Sequence, residues 1–135
     1  MHIMNTAEKI FVSIRDAALA YEICNDLVNL GYPAETIDGV EKMKELSRST
    51  PFGIVVVDAE QDGPLVLSRL HSLLAARSVY QVVALTDTES PIDEKKLYLA
   101  GASKVLRSQY YQLLSLLNAI DECEQTISLV RRNIV

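Results

Sequence analysis

Residues 51–63 read Pro-Phe-Gly-Ile-Val-Val-Val-Asp-Ala-Glu-Gln-Asp-Gly. Ile54, Val55, Val56 and Val57 form an unbroken β-branched run with no polar alternation. Such a run suits a strand covered on both faces, as in a parallel sheet. It ends at Asp58, and an acidic loop from Ala59 to Gly63 leads into an apolar helix. In an open parallel sheet, chemistry collects where the strands release their chain. Asp58 is therefore placed for a function, or else caps the helix that follows.

Working outward, the flanking segments alternate in period. A loose leader (1–8) precedes a first strand, Lys9 to Ile14, and from Asp16 the period becomes helical through Ala17, Ala20, Tyr21, Cys24, Leu27 and Val28. Gly31 and Pro33 end that helix. Ala34 to Ile37 reads as a short edge strand, and Asp38 with Glu41 as a capping box for a second helix carrying Val40, Met43 and Leu46. Pro64 suits the first turn of a third helix through Leu67, Leu70, His71 and Leu74. Val79 to Leu85 is a fourth strand ending at Thr86, and Ser90-Pro91 with Asp93 opens a fourth helix closed by Gly101. Ser103 to Leu106 is a fifth strand, and Gln109 starts the last helix. Five strands alternating with five helices predict a doubly wound α/β domain with a five-stranded parallel sheet, flavodoxin-like in type.

The last helix is long for such a domain. Leu113, Ile120, Ile127 and Ile134 recur every seven residues, with Leu116, Cys123 and Val130 between them. That a/d pattern predicts a globular domain over 1–121 and a helical linker over 122–135, with Ile127 and Val130 on a parallel coiled-coil seam.

Composition bounds the rest. A chain of 135 residues with 49% apolar residues holds one domain with an aliphatic core. A net charge of −5 without a basic patch argues against nucleic-acid binding. The two cysteines, Cys24 and Cys123, imply a reducing compartment rather than a disulfide framework. With no apolar run near about 20 residues and no hydrophobic signal core, the reading is cytoplasmic, with no membrane contact. His2 and His71 have no cysteine at metal-ligand spacing, and SIRDAALA after the first strand is not a phosphate loop. Ser13, Ser49 and Ser68 lack a nucleophile-elbow context, and Glu60 with Asp62 reads as a polar turn rather than an acid–base pair. No enzyme is expected, and no resident cofactor or metal.

IVVVD ending at Asp58, ALT ending at Thr86, and AGA over Ala100 to Ala102 before the fifth strand, in that order, resemble the receiver domains of two-component response regulators. The resemblance spans roughly residues 8–121. It implies that Asp58 stands at the phosphoacceptor position and Thr86 at the hydroxyl position. It also implies an acidic, Mg²⁺-holding pair after the first strand and a lysine after the fifth. Here Ile14 and Arg15 stand at the acidic pair, Asp16 comes one place late, and Ser108 stands at the lysine, beside Arg107. Val105 replaces the aromatic often found on the fifth strand. Phosphoryl transfer is mostly positioning and neutralisation of oxygen charge. Ile14 brings no Mg²⁺ ligand, Arg15 brings the wrong charge, and losing the lysine forfeits a charge-assisted contact worth roughly 1.5–3 kcal/mol. Arg15 or Arg107 is positioned in sequence to act as an internal counter-ion over Asp58.

The expected function is a pseudo-receiver acting through protein contacts and homodimerisation, independent of phosphorylation, with a protein partner or fused output domain. The helix-four residues Lys95, Lys96 and Tyr98 form the expected contact face, with Ile92 and Leu99 anchoring that helix. The alternative is a working receiver phosphorylated on Asp58 by a histidine kinase with Mg²⁺. A third reading, a small-molecule sensor using the crevice at the strand ends, requires a pocket there.

Overall fold

The computed structural model describes residues 8–59, 63–108 and 110–134. The expectations for His2, Glu60, Asp62, Gln109 and the side chain of Ile134 lie outside the described residues. Strands β1 (Lys9–Ser13), β2 (Ala34–Thr36), β3 (Phe52–Asp58), β4 (Val79–Thr86) and β5 (Lys104–Arg107) form one sheet in the order β2-β1-β3-β4-β5. Every pairing is parallel. Helices α1 (Ala17–Asn29), α2 (Met43–Ser49), α3 (Gly63–Leu73), α4 (Glu94–Leu99) and α5 (Leu113–Ile134) cover both faces. This is the flavodoxin-like doubly wound arrangement that the sequence predicts.

Period-two alternation on the central strands divides the core in two. Ile10, Val12, Ile54, Val56 and Val83 pack with Ile23 and Leu27 of α1 and with Leu116 and Ile120 of α5. Phe11, Val55, Val57, Val82 and Ala84 pack on the other face with Met43, Leu67, Leu70 and Leu97. At Gly53 a Cβ would stand 2.7 Å from the Tyr80 ring, so glycine lets that ring cross the strand. The Tyr80 hydroxyl donates to Thr50 O at 2.5 Å, and burial pushes its phenol up to about 12.

Two local expectations change. Asp38 and Glu41 form no capping box: a 3-10 turn over Val40–Lys42 intervenes, α2 has no side-chain cap, and Glu41 instead pairs with Arg69. In α4 the anchor is Leu97, fully buried, whereas Leu99 is 88% exposed. One turn of a six-residue helix buries a single residue, and here the register favours Leu97. Asp93 does cap α4, accepting from Lys95 N–H, and Gly101 ends that segment at φ +118°. His71 Nε2 sits 2.9 Å from Gly101 O and ties α3 to this turn.

The largest correction concerns α5. The helix runs unbroken from Leu113 to Ile134, and its second half stays on the body. Cys123 and Ile127 are buried in the same cluster as Ile10 and Ile54, so Ile127 is not available to a coiled-coil seam. Val130 is half-buried. Arg131 pairs with Glu8 at 2.8 Å and lies over the Phe52 ring, while Glu8 N–H donates to Glu124 Oε2 at 3.2 Å. The starts of β1 and β3 thus supply the surface that sequence reading found missing beyond Asp121. Residues 122–134 belong to the domain and are not a separate linker. Among the described residues, no helix is long and apolar enough to cross a membrane.

Candidate functional site

The parallel strands deliver Asp58 and Thr86 to the same edge of the sheet. Asp58 pairs in register with Leu85, which puts Thr86 one residue beyond it on the neighbouring strand. Ala59 N–H donates to Leu85 O at 2.8 Å and Ser108 N–H to Thr86 O at 3.0 Å, fixing the chain as it leaves β3 and β5. Both side chains line one cleft of about 240 Å³.

Asp58 is half-buried, and its Oδ2 accepts the main-chain N–H of Arg15 at 3.0 Å. The main-chain N–H of Arg15 is thus one partner of this carboxylate. Thr86 is 4% exposed, and its Oγ1 is buried with no hydrogen-bond partner among the described residues. Asp16 lines the cleft, but its Oδ1 already caps α1, accepting from Ala18 and Leu19 N–H at 3.0 and 3.2 Å. Ile14 is buried in the core and also walls the cleft, leaving an apolar surface where the family pattern has a carboxylate. Ser108 lines the cleft at the lysine position and spends its hydroxyl on Tyr110, accepting from Tyr110 N–H at 3.3 Å.

Arg107 does not act as a counter-ion to Asp58. Its Nε donates to Glu94 Oε2 at 2.9 Å, and its Nη1 to the carbonyls of Asp87 and Ser90 at 3.0 and 3.1 Å. With Nη2 on Ile92 O, the guanidinium staples the β4–α4 connection to β5. Lys95, Lys96 and Tyr98 lie on a different surface, the exposed side of α4. Tyr98 also serves the edge strand, its hydroxyl accepting Val105 N–H at 3.2 Å.

Residues that sequence reading did not assign to the site complete the cleft: Leu19, Leu85, Leu106, Tyr111 and Leu116 form its apolar wall. Tyr111 is held by donating its hydroxyl to Asp26 Oδ2 at 3.0 Å; burial, and then this bond, push its phenol up and keep it protonated. The visible signal was the pair Ile14 and Ser108, each smaller or less polar than the family pattern requires. Among the described residues, no cluster of His, Cys, Asp and Glu could hold a metal ion.

The sheet order and the crossover connections are those of the receiver fold of response regulators. Among solved structures, FixJ-N superposes with a TM-score of 0.74 at 13% identity, over 93% of this chain and 96% of that one. A CheY-like receiver domain protein from Methanospirillum hungatei gives 0.64 at 15%, over 94% and 98%. An orphan response regulator of H. pylori gives 0.62 at 18%, over 88% and 98%. No family model matches the sequence, and no curated protein matches it.

Proposed function

We propose that this chain is a pseudo-receiver: a non-catalytic, cytoplasmic signalling module that works through protein contacts without taking a phosphoryl group. The observation that carries the reading is the cleft around Asp58, where no Lys, Arg or His is among the described lining residues and buried Ile14 occupies the place of a metal ligand. A phosphorylated Asp58 would carry more negative charge into a site already lined by Asp16 and Asp87, with no Lys, Arg or His among the described lining residues. The absent lysine alone forfeits roughly 1.5–3 kcal/mol.

The contact surface in this reading is the outer face of α4. Tyr98 is 46% and Leu99 88% exposed there, beside exposed Lys95 and Lys96. A second copy of the chain, or an output domain joined to it, would cover that patch. Leu99→Glu combined with charge reversal at Lys95 and Lys96 should reduce self-association in sedimentation; unchanged assembly would remove this face from the proposal.

The phosphorylation-independent reading is tested by amide NMR in Mg²⁺ with beryllofluoride, a phosphoryl mimic. The expected result is no saturable change at Asp58, Ala59 or Thr86. Saturable shifts centred on those residues would favour the alternative, a working receiver phosphorylated on Asp58.

A further inference from the structure

We propose that the strand-end cleft binds a small neutral molecule, one apolar ring carrying a single hydroxyl, with the ring against Leu106, Tyr111 and Leu116 and the hydroxyl toward Thr86. This rests on the reading that the site no longer receives a phosphoryl group. The first observation is the size and lining of the cleft. About 240 Å³ is open there, and a cavity of roughly 150 Å³ already holds a benzene ring, so one ring with a short side chain fits. Ile14, Leu19, Leu85, Leu106 and Leu116 give the cleft an aliphatic lining. Tyr110 lines it while staying 73% exposed, which leaves aromatic surface for a ring to cover.

The second observation is where the polar bonds of the lining go. Asp58 Oδ2 accepts Arg15 N–H, Asp16 Oδ1 accepts from Ala18 and Leu19 N–H, and Asp87 Oδ1 accepts Glu89 N–H at 2.9 Å. Ser108 Oγ accepts Tyr110 N–H, and the Tyr111 hydroxyl donates to Asp26 Oδ2. The fold already engages each of these side chains. Thr86 differs: it lines the cleft, is 4% exposed, and its Oγ1 has no hydrogen-bond partner among the described residues. A buried hydroxyl without a partner is rare and costly, and a ligand hydroxyl can donate to it or accept from it. No bond among the described residues holds Oγ1, so turning it about χ1 toward a ligand breaks none.

Together the two observations select the charge of the ligand. An ammonium head would exchange its water for carboxylates that the fold already uses, and no Lys, Arg or His among the described lining residues meets an anion. A bare hydrocarbon ring leaves Thr86 unmet. A neutral ring with one hydroxyl matches both the aliphatic wall and the single open bond. The room comes from the positions that depart from the receiver pattern: Ile14 is an apolar wall, and Ser108 is far shorter than a lysine. The Tyr111 wall is held by its bond to Asp26, so the cleft exists before anything enters it.

The test is an amide NMR titration of the whole chain with 2-phenylethanol, 2-phenylethylammonium and 3-phenylpropionate. The alcohol should give saturable shifts at Thr86, Leu106 and Leu116. The ammonium compound should bind no tighter than the alcohol, and the acid more weakly than either. Thr86→Val, which keeps the shape and loses the hydroxyl, should weaken the alcohol about fivefold, the effect of one ordinary hydrogen bond. Asp58→Asn should leave the alcohol unchanged. No saturable shift at these residues, tighter binding of the ammonium compound, or an alcohol indifferent to Thr86→Val overturns the proposal. Intact mass after incubation with Mg²⁺ and acetyl phosphate separates this failure from that of the reading beneath it. A phosphoryl adduct lost in Asp58→Asn overturns the pseudo-receiver reading; an unmodified chain that ignores the alcohol overturns the ligand proposal alone.

Discussion

The Arg131 guanidinium lies over the ring of Phe52, 4.2 Å from its centroid, and joins the far end of α5 to the start of β3. Arg131 also pairs with Glu8, so the helix is held at a point about three turns beyond Ile120. The buried residues between those points, Cys123 and Ile127, are core residues of the domain.

Ile127→Ala should therefore cost about 2–5 kcal/mol in urea unfolding, the usual range for truncating a buried aliphatic side chain. Ile127→Asp should cost more, because it buries a charge without a partner. Cys123 gives a second readout. Burial pushes its thiol up to about 11, so it should resist thiol reagents at neutral pH and become reactive in Ile127→Asp. Parent-like stability in Ile127→Ala would mean that this half of the helix is not docked.

The sheet was legible because its central strand is a β-branched run and the segments between strands carry clear helix caps and stops, such as Asp16, Gly31, Asp93 and Gly101. The fate of α5 was not. A docked helix and a coiled-coil helix both bury a stripe, and periods of 3.6 and 3.5 diverge by only about 20° per heptad. What decides between them is Phe52 and Glu8, distant in sequence and brought near by the parallel sheet. At the site, Asp58 and Thr86 were readable from the residues ending each strand. The volume and apolar lining of the cleft were not, because Leu106, Tyr111 and Leu116 meet Ile14 only in the folded chain. The direction of Arg107 was equally hidden, since its partners besides Glu94 are main-chain carbonyls that carry no sequence signature.

Arg107→Ala should loosen the β4–α4 connection. The carbonyls of Asp87, Ser90 and Ile92 lose their charged donor, at a cost of about 1.5–3 kcal/mol. Hydrogen exchange should quicken from Thr88 to Lys96 while β3 keeps its protection. Arg107→Lys should recover only part of this, because an ammonium lacks the planar fork. Unchanged exchange in Arg107→Ala would show that the staple is not needed.

Glu8 should make stability depend on pH in a direction unusual for a carboxylate. Desolvation pushes its carboxyl above the ordinary 4.5, and the Arg131 charge restores only part of the difference. The folded chain then holds this proton more tightly than the unfolded chain. Its contribution is most favourable below the unfolded value and is lost as pH rises through the folded one. Urea unfolding of the parent and of Glu8→Gln should show the parent losing stability relative to the variant across the window just above 4.5. A difference that stays constant there would contradict the assigned direction.

The central claim, that Asp58 stands at an acceptor position which no longer accepts, is tested most directly by intact mass spectrometry after incubation with Mg²⁺ and acetyl phosphate. Asp58 Oδ2 is bonded to Arg15 N–H, Ile14 offers no oxygen to a metal, and Ser108 no charge to a phosphoryl group. The account predicts an unmodified chain under conditions that phosphorylate a working receiver run in parallel. A single added phosphoryl group, absent from Asp58→Asn, would contradict it.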